Sequence, residues 1–430
     1  MKITGLITEY NPFHKGHEYH IKKTKEVTGA DYVIVVMSGD FVQRGTPACV
    51  QKHVRAHMAL VSGADLVLEL PVAYATGSAE LFAQGAVSIL DQLGVVDSIC
   101  FGSECGTTEP LMEIARLLTE EPEWYRVALQ EHLKNGLSYP AARAAAIPEY
   151  SKLLSSPNNI LGIEYCKALL RLHSHIQPVS IMREGNLYHA ENLNQELPSA
   201  TAIRKQLLCK NHHMPTNLSK VPENYGQPQA DPIKQEIGTY YIEENPTLAS
   251  QIPAKAFSVL SKEIDTSGIV TDNDFSQMLF YRLLSASSAT ELTAYMDVSD
   301  ELAARIYKCR MQFISFDQFV DLLKTKELTR TRINRALLHI LLGIKKGQPT
   351  AAYAKILGFR KDAGALLSAI KKKGQIPFFS KTATARKLLN QEQNQLFEQS
   401  IFASHLYESV LAQKAQRPLV HEHTKKIIIV

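Results

Sequence analysis

Ile3-Thr4-Gly5-Leu6-Ile7-Thr8-Glu9-Tyr10-Asn11-Pro12-Phe13-His14-Lys15-Gly16-His17-Glu18-Tyr19-His20 is the stretch whose reading decides the fold. Residues 3–7 are apolar and few, as in a buried strand, and residues 17–27 take up helical spacing. A strand that turns at once into a helix is the opening of a parallel, doubly wound unit. The alternation continues with strands at 32–37, 66–70 and 98–101 and a helix at 51–62. A further helix carries Ala79, Phe82, Ala83, Ala86, Ile89, Leu90 and Leu93. Such sheets hold ligands beyond the carboxyl ends of their strands, which directs attention to the segments after Ile7, Met37, Leu70 and Phe101.

Farther along, 110–175 reads as helical with breaks near Pro140, Pro148 and Pro157; 179–182 reads as a fifth strand, and Ser199 as the cap of a helix running to about residue 208. Residues 211–232 hold Pro215, Pro222, Gly226, Pro228 and Pro232 and read as a linker. Helical periodicity returns at 274–284, 300–312, 316–324 and 329–344. Short strands at 353–357 and 376–379 flank a helix at 363–372. The expectation is an α/β domain over 1–210, a linker, and a mainly helical α+β domain over 233–430.

The chain has 430 residues, 45% hydrophobic and 21% charged, with 22 Gly and 19 Pro, which argues against disordered, fibrous or repeat-array classes. Its net charge of +4 conceals an asymmetry. Residues 1–200 carry 16 Lys and Arg against 22 Asp and Glu, residues 201–300 carry 8 against 12, and residues 301–430 carry 23 against 9. A polyanionic partner held by the last third is the implication. The start lacks the apolar core of a signal peptide and no stretch reaches 18 uncharged apolar residues, so a cytoplasmic protein without membrane contact is expected. Six scattered cysteines without a Cys-x-x-Cys pair fit free thiols in a reducing compartment.

A helix start presents unpaired backbone N–H groups and the positive end of a dipole, which suit phosphate. Gly16 lets a ligand approach the main chain, and His14 and His17 can donate hydrogen bonds to phosphate oxygens and stabilise a leaving pyrophosphate. With His20 they are spaced by three, which also suits a metal-binding face or a merely solvated one. The glycine, the preceding strand and the helix start favour phosphate, and no Cys or carboxylate with ligand spacing stands beside them for zinc. In Ser199-Ala200-Thr201-Ala202-Ile203-Arg204, the Arg204 fork, the Ser199 and Thr201 hydroxyls and another helix start could hold the same group. An ordinary capped helix with a solvated arginine is the plain alternative.

The His-x-Gly-His pattern resembles that of the nucleotidylyltransferase superfamily, whose members bind ATP on a Rossmann-like parallel sheet and attack its α-phosphate. The run from Ser199 to Arg204 is similar to their second motif, with Ala200 in place of its middle serine. More specifically, the chain resembles the bacterial tRNA(Met) cytidine acetate ligases. That resemblance rests on residues 9–17 and on Met37-Ser38-Gly39-Asp40-Phe41-Val42-Gln43-Arg44-Gly45-Thr46-Pro47-Ala48, Leu68-Glu69-Leu70-Pro71 and Phe101-Gly102-Ser103-Glu104. It continues through Ser156-Pro157-Asn158-Asn159-Ile160-Leu161-Gly162, Arg183-Glu184-Gly185 and Thr329-Arg330-Thr331-Arg332-Ile333-Asn334-Arg335. It therefore spans both expected domains.

The resemblance implies an enzyme that uses acetate and ATP, with Mg²⁺ accompanying ATP, to make N4-acetylcytidine at the wobble position of elongator tRNA(Met). It implies an ATP site built from residues 7–20 with Gly102, Asn159, Arg183, Ser199 and Thr201, and catalysis by His14, Gly16, His17 and Arg204. Asn159 would offer a donor and an acceptor to adenine or ribose, and Arg183 a charge to phosphate. Asp40 and Arg44 could contact the acyl pocket or the phosphates, or pair with each other; Glu69 could orient another residue. No dedicated protein ligand for a metal is expected.

Lys324, Lys326, Arg330, Arg332, Arg335, Lys345 and Lys346 surround the apolar Ile333, Leu337, Leu338, Ile340 and Leu341, and Lys371-Lys372-Lys373 adds a second cluster. Both read as RNA-phosphate contacts, against the plain reading of a solvated basic face. The competing functions are an adenylyltransferase for a small phosphorylated metabolite, which would share only the first domain, and an RNA-binding protein with a decayed nucleotide fold.

Overall fold

The computed structural model describes residues 1–183, 199–209, 246–325, 327–347 and 352–430. The expected linker, Glu184, Gly185 and Lys326 lie outside the described residues. The opening strand is β1 (Ile3–Thr8), followed by α1 (Lys15–Thr28), β2 (Tyr32–Ser38), α2 (Lys52–Val61) and β3 (Leu66–Leu70). Then come α3 (Ala79–Gln92), β4 (Ser98–Ser103), α4 (Pro157–Arg171), β5 (Gln177–Met182) and α5 (Ala200–Cys209). The sheet order is β5-β4-β1-β2-β3, every pair parallel, so the order reverses between β1 and β4. That reversal opens a crevice at the carboxyl edge.

Residues alternate between the two faces along each strand. Leu6, Val33, Val35 and Met37 pack with Ile21 of α1 and Ala56, Met58 and Leu60 of α2. Ile3, Ile34, Val36 and Leu68 pack with Phe82, Ile89 and Leu90 of α3 and Ile163 of α4. The prolines that break 110–175 stand at helix starts: Pro140 in the helix Tyr139–Ala146, Pro148 in a 3₁₀ turn, Pro157 at the head of α4. There the missing N–H has no helical partner to lose.

The basic half holds the expected helices, among them α6 (Arg330–Leu342), capped by the Thr329 hydroxyl and closed by Gly343 in the left-handed region. Its strands do not build a second sheet. The expected strand at 353–357 is β6 (Ala354–Phe359), which lies antiparallel beside β3. β7 (Phe378–Phe379) and β8 (Ile428–Ile429) pair with β6 in turn. The 24-residue helix α7 (Gln391–Lys414), not read from the sequence, packs Leu396, Phe397, Ile401 and Tyr407 into the same core as α3.

The seam between β3 and β6 is charged and buried. Glu69 stands opposite Lys355 in register and meets its Nζ at 2.6 Å. Lys52 Nζ lies 2.7 Å from Glu69, 2.8 Å from Glu422 and 3.5 Å from Asp40, and Lys355 Nζ 2.7 Å from Glu422. Burial alone would discharge Lys52; the three carboxylates hold its pKa well above the ordinary value. Asp40 and Glu69, weighed above as site residues, are thus joined to Lys52 in this network.

Candidate active site

A cavity of about 310 Å³ opens at the carboxyl ends of β1, β4 and β5. Its wall takes Ile7, Thr8, Glu9, Tyr10 and Asn11 from the turn after β1, and His14, Gly16, His17, Tyr19 and His20 from the start of α1. Gly102, Arg183, Ser199, Thr201 and Arg204 complete the group of expected residues that meet there. Pro12 and Phe13 are buried beneath the turn, Lys15 is exposed on its outer side, and neither these nor Glu18 lines the cavity. The Asn11-Pro12 bond is cis, and Tyr10 adopts a φ of 49°, a backbone state uncommon for a bulky residue.

The histidines cap the helix. His14 is the N-cap residue, its Nδ1 accepting from the Gly16 N–H at 3.1 Å, while His17 Nδ1 accepts from the His14 N–H at 3.3 Å. Two backbone donors expected to face phosphate are therefore already satisfied. In exchange, both imidazoles are fixed as Nε2–H tautomers, with that nitrogen left to donate. The rings stack at 3.8 Å, and Tyr10 meets His17 edge-on at 4.8 Å. A Cβ at position 16 would lie 2.9 Å from the His14 ring, so the close packing of this cap requires glycine there.

Burial, assisted by Arg183 and Arg204, lowers the His14 pKa to about 3. Burial and Arg183 lower His20 to about 4, and burial with His14, His20 and Arg183 holds His17 well below the usual range. All three are neutral at pH 7. The Nε2 of His20 is buried without a hydrogen-bond partner among the described residues.

Arg204 is held by the Asn11 carbonyl at 2.6 Å and the Thr201 hydroxyl at 3.2 Å, which ties α5 to the turn after β1. Ser199 does cap α5, accepting from the Ala202 N–H at 3.1 Å. Arg183 donates to Asn158 Oδ1 at 3.1 Å, and a Cβ at Gly102 would press on the Arg183 side chain at 3.0 Å.

Asn159 stands just behind the cavity wall: its side-chain Oδ1 accepts from the Glu104 and Cys105 N–H groups at 2.9 and 3.2 Å and holds the loop after β4. Its neighbour Asn158 lines the cavity instead. Of the pair after β2, Arg44 lines the cavity while Asp40 is turned to Lys52; the two are not brought together there. Gln43, Phe82 and Tyr165 also line it, although the sequence assigned none of them to the site. Among the described residues no group of three His, Cys, Asp or Glu could hold a metal ion.

The basic clusters separate. Arg44 belongs to a hairpin of Phe41–Val42 and Thr46–Pro47, whose Gly45 has a φ of 74° and abuts the backbone of Asn334 and Arg335 in α6. That helix is therefore a neighbour of the cavity lip. Within it, however, Arg330 is paired with Asp317 and Asp321, and Arg335 with Asp297 at 2.8 Å. Of the three arginines expected to meet RNA phosphate, Arg330 and Arg335 are committed to carboxylates, whereas Arg332 is exposed and in no ion pair among the described residues. The Lys371–Lys373 run lies elsewhere: Lys373 abuts Gly94, just before β4 begins, at the edge of the sheet opposite the cavity.

The HIGH Nucleotidyl Transferase family profile matches residues 1–422. The tRNA(Met) cytidine acetate ligase of Acetivibrio thermocellus is 39% identical over the full length of both chains. That of Thermoanaerobacter sp. (strain X514) is 39% identical over 95% of each. The crystal structure of Thermotoga maritima TmcAL bound with alpha-thio ATP superposes with a TM-score of 0.84 at 31% identity, covering 100% of this chain and 99% of that one. The apo form of the same protein superposes at 0.87, with 30% identity and complete coverage of both.

Proposed function

The chain belongs to the tRNA(Met) cytidine acetate ligases within the HIGH nucleotidyl transferase family, and from that premise we propose that it binds ATP in the cavity above β1 and activates acetate there. The chain is an ATP-dependent ligase that makes acetyl-adenylate and passes the acetyl group to N4 of the wobble cytidine of elongator tRNA(Met). The observation that carries the placement is the capping pair: His14 and His17 spend Nδ1 on the backbone and keep Nε2–H as neutral donors beside Arg204.

An acetate oxygen attacks the α-phosphorus, and the bond to the bridging oxygen breaks to release pyrophosphate. The cytidine amine then attacks the acetyl carbonyl, AMP leaves, and the amine proton passes to solvent. No protein nucleophile is needed. Fixed donors in a partly dehydrated site stabilise the charge that builds on the phosphates without changing their own protonation. Arg204, braced at two points, supplies a charged fork to the same oxygens. Mg²⁺ would come with ATP and screen its charge. Residues 1–210 would hold ATP and residues 233–430 the tRNA, in the cytoplasm. Among the described residues no helix is long and apolar enough to cross a membrane.

The adenylyltransferase alternative uses only the first domain, whereas the similarity to the ligases runs through both halves. Incubation with ATP and radiolabelled acetate, with and without tRNA(Met), separates the two. Label in the tRNA cytidine is the expected result, and its absence would remove the ligase reading.

A further inference from the structure

Arg55 lies on α2, has no accessible surface, and faces backbone rather than acid. Its Nε donates to the Val50 carbonyl at 3.0 Å, and its Nη1 to the carbonyls of Glu9 at 2.6 Å and Ser38 at 3.1 Å; Nη2 donates to the Gly39 carbonyl. Glu9 is the first residue past β1, and Ser38 and Gly39 close β2. The guanidinium therefore ties the end of β1, which lines the cavity, to the end of the neighbouring β2. No carboxylate comes within ion-pair distance of it among the described residues; Asp40, whose charge acts on it most strongly, is paired with Lys52.

A buried cation without a counter-ion is strongly unfavourable, and an apolar side chain would serve better if packing were its only task. Here the fork matches four carbonyls that no single ammonium could reach together. Resting on Glu9, it sets the height of the segment that carries Asn11, His14 and His17. Its charge also lies behind the turn after β1, one residue's carbonyl away from the cavity that Glu9 lines.

Building on the ATP-site reading above, we propose that Arg55 is a positioning residue of the nucleotide site: it fixes the turn after β1 against the end of β2 and adds buried positive potential under the triphosphate. The substrate completes its charge balance.

The test compares wild type, Arg55→Lys and Arg55→Met in acetate-dependent ATP–pyrophosphate exchange, with rates normalised to folded protein by circular dichroism and thermal melting. Arg55→Lys keeps the charge and loses the fork, and is expected to lower kcat about a hundredfold with a smaller rise in KM for ATP. Arg55→Met loses both and should raise KM for ATP at least tenfold more, with little change in affinity for adenosine. Equal losses in the two variants, or unchanged kinetics per folded molecule, would overturn the proposal. Should the variants not fold, wild type labelled with nitrogen-15 arginine decides: the Arg55 guanidinium signals should shift on adding ATP and stay put with adenosine, and signals indifferent to ATP would overturn it. If wild type fails to exchange pyrophosphate at all, the ATP-site reading fails instead.

Discussion

The imidazoles of His14 and His17 lie 3.8 Å apart in a stack, each accepting a backbone N–H from the turn that carries the other. One pair of side chains thus forms the capping box and, on the function proposed for the chain, would also bind the oxyanion. Replacement by residues that preserve only one of these roles separates them.

His17→Asn keeps an acceptor for the His14 N–H and removes the Nε2–H donor. Acetate-dependent pyrophosphate exchange should fall about a hundredfold, with the melting temperature nearly unchanged. His17→Ala loses the cap as well and should be less stable by about 1 kcal/mol. Melting curves that do not distinguish the two would contradict the cap.

The neutral histidines give stability a defined pH dependence. Unfolded histidine titrates near 6.5, whereas His14 is lowered to about 3 and His20 to about 4 in the fold. Between those limits the unfolded chain binds protons that the folded chain refuses, so their effect is to weaken the fold as pH falls below about 6.5 and to vanish above it. Asp272, raised to about 7 by burial and by Asp317, acts with the opposite sign. Scanning calorimetry of wild type against His20→Gln isolates the histidine part: the difference should grow from pH 6.5 to pH 5 in favour of the variant.

Gly45 cannot take a side chain without moving α6. A Cβ there would lie 2.3 Å from the Arg335 nitrogen, and the φ of 74° is itself unfavourable for alanine. Gly45→Ala should cost about 1–3 kcal/mol and displace the hairpin that carries Arg44. Denaturant titration measures the first effect, and a rise in KM for ATP the second.

The two kinds of arginine on α6 should behave differently. Arg332→Ala should weaken tRNA(Met) binding and reduce the salt slope by about 1. Arg330→Ala breaks pairs with Asp317 and Asp321 and should act on stability more than on the slope. Filter binding across a salt series reads both; a larger slope change for Arg330→Ala would reverse the assignment.

The parts of this site that are local in sequence were legible there. The turn after β1, the cap at Ser199 and the strands of the parallel sheet announce themselves through apolar runs and short spacing. Asn158 and Asn159 could not be told apart, because the helical phase that turns one to the cavity and the other to the loop after β4 is set by α4 as a whole. Arg55 left no signal: its partners are carbonyls, which every residue has. The helix α7 was hidden because Ser400, Ser404 and Glu408 interrupt its buried stripe, where they bind Tyr353, Lys52 and Arg417. The arginines of α6 read as a phosphate surface because the aspartates that neutralise two of them lie on other segments.

The antiparallel neighbour of β3 is drawn from the far side of the chain, and this orders events at the ribosome. While the nascent polypeptide extends only through its amino-terminal half, Leu66–Leu70 presents a bare hydrogen-bonding edge, and the carboxylate of Glu69 awaits the ammonium of Lys355. The sheet that begins with β1 is thus complete on this side only after translation has passed residue 359. A fragment ending before it would carry every cavity-lining group named above and still be a chain with an open, adhesive flank, prone to aggregate instead of working.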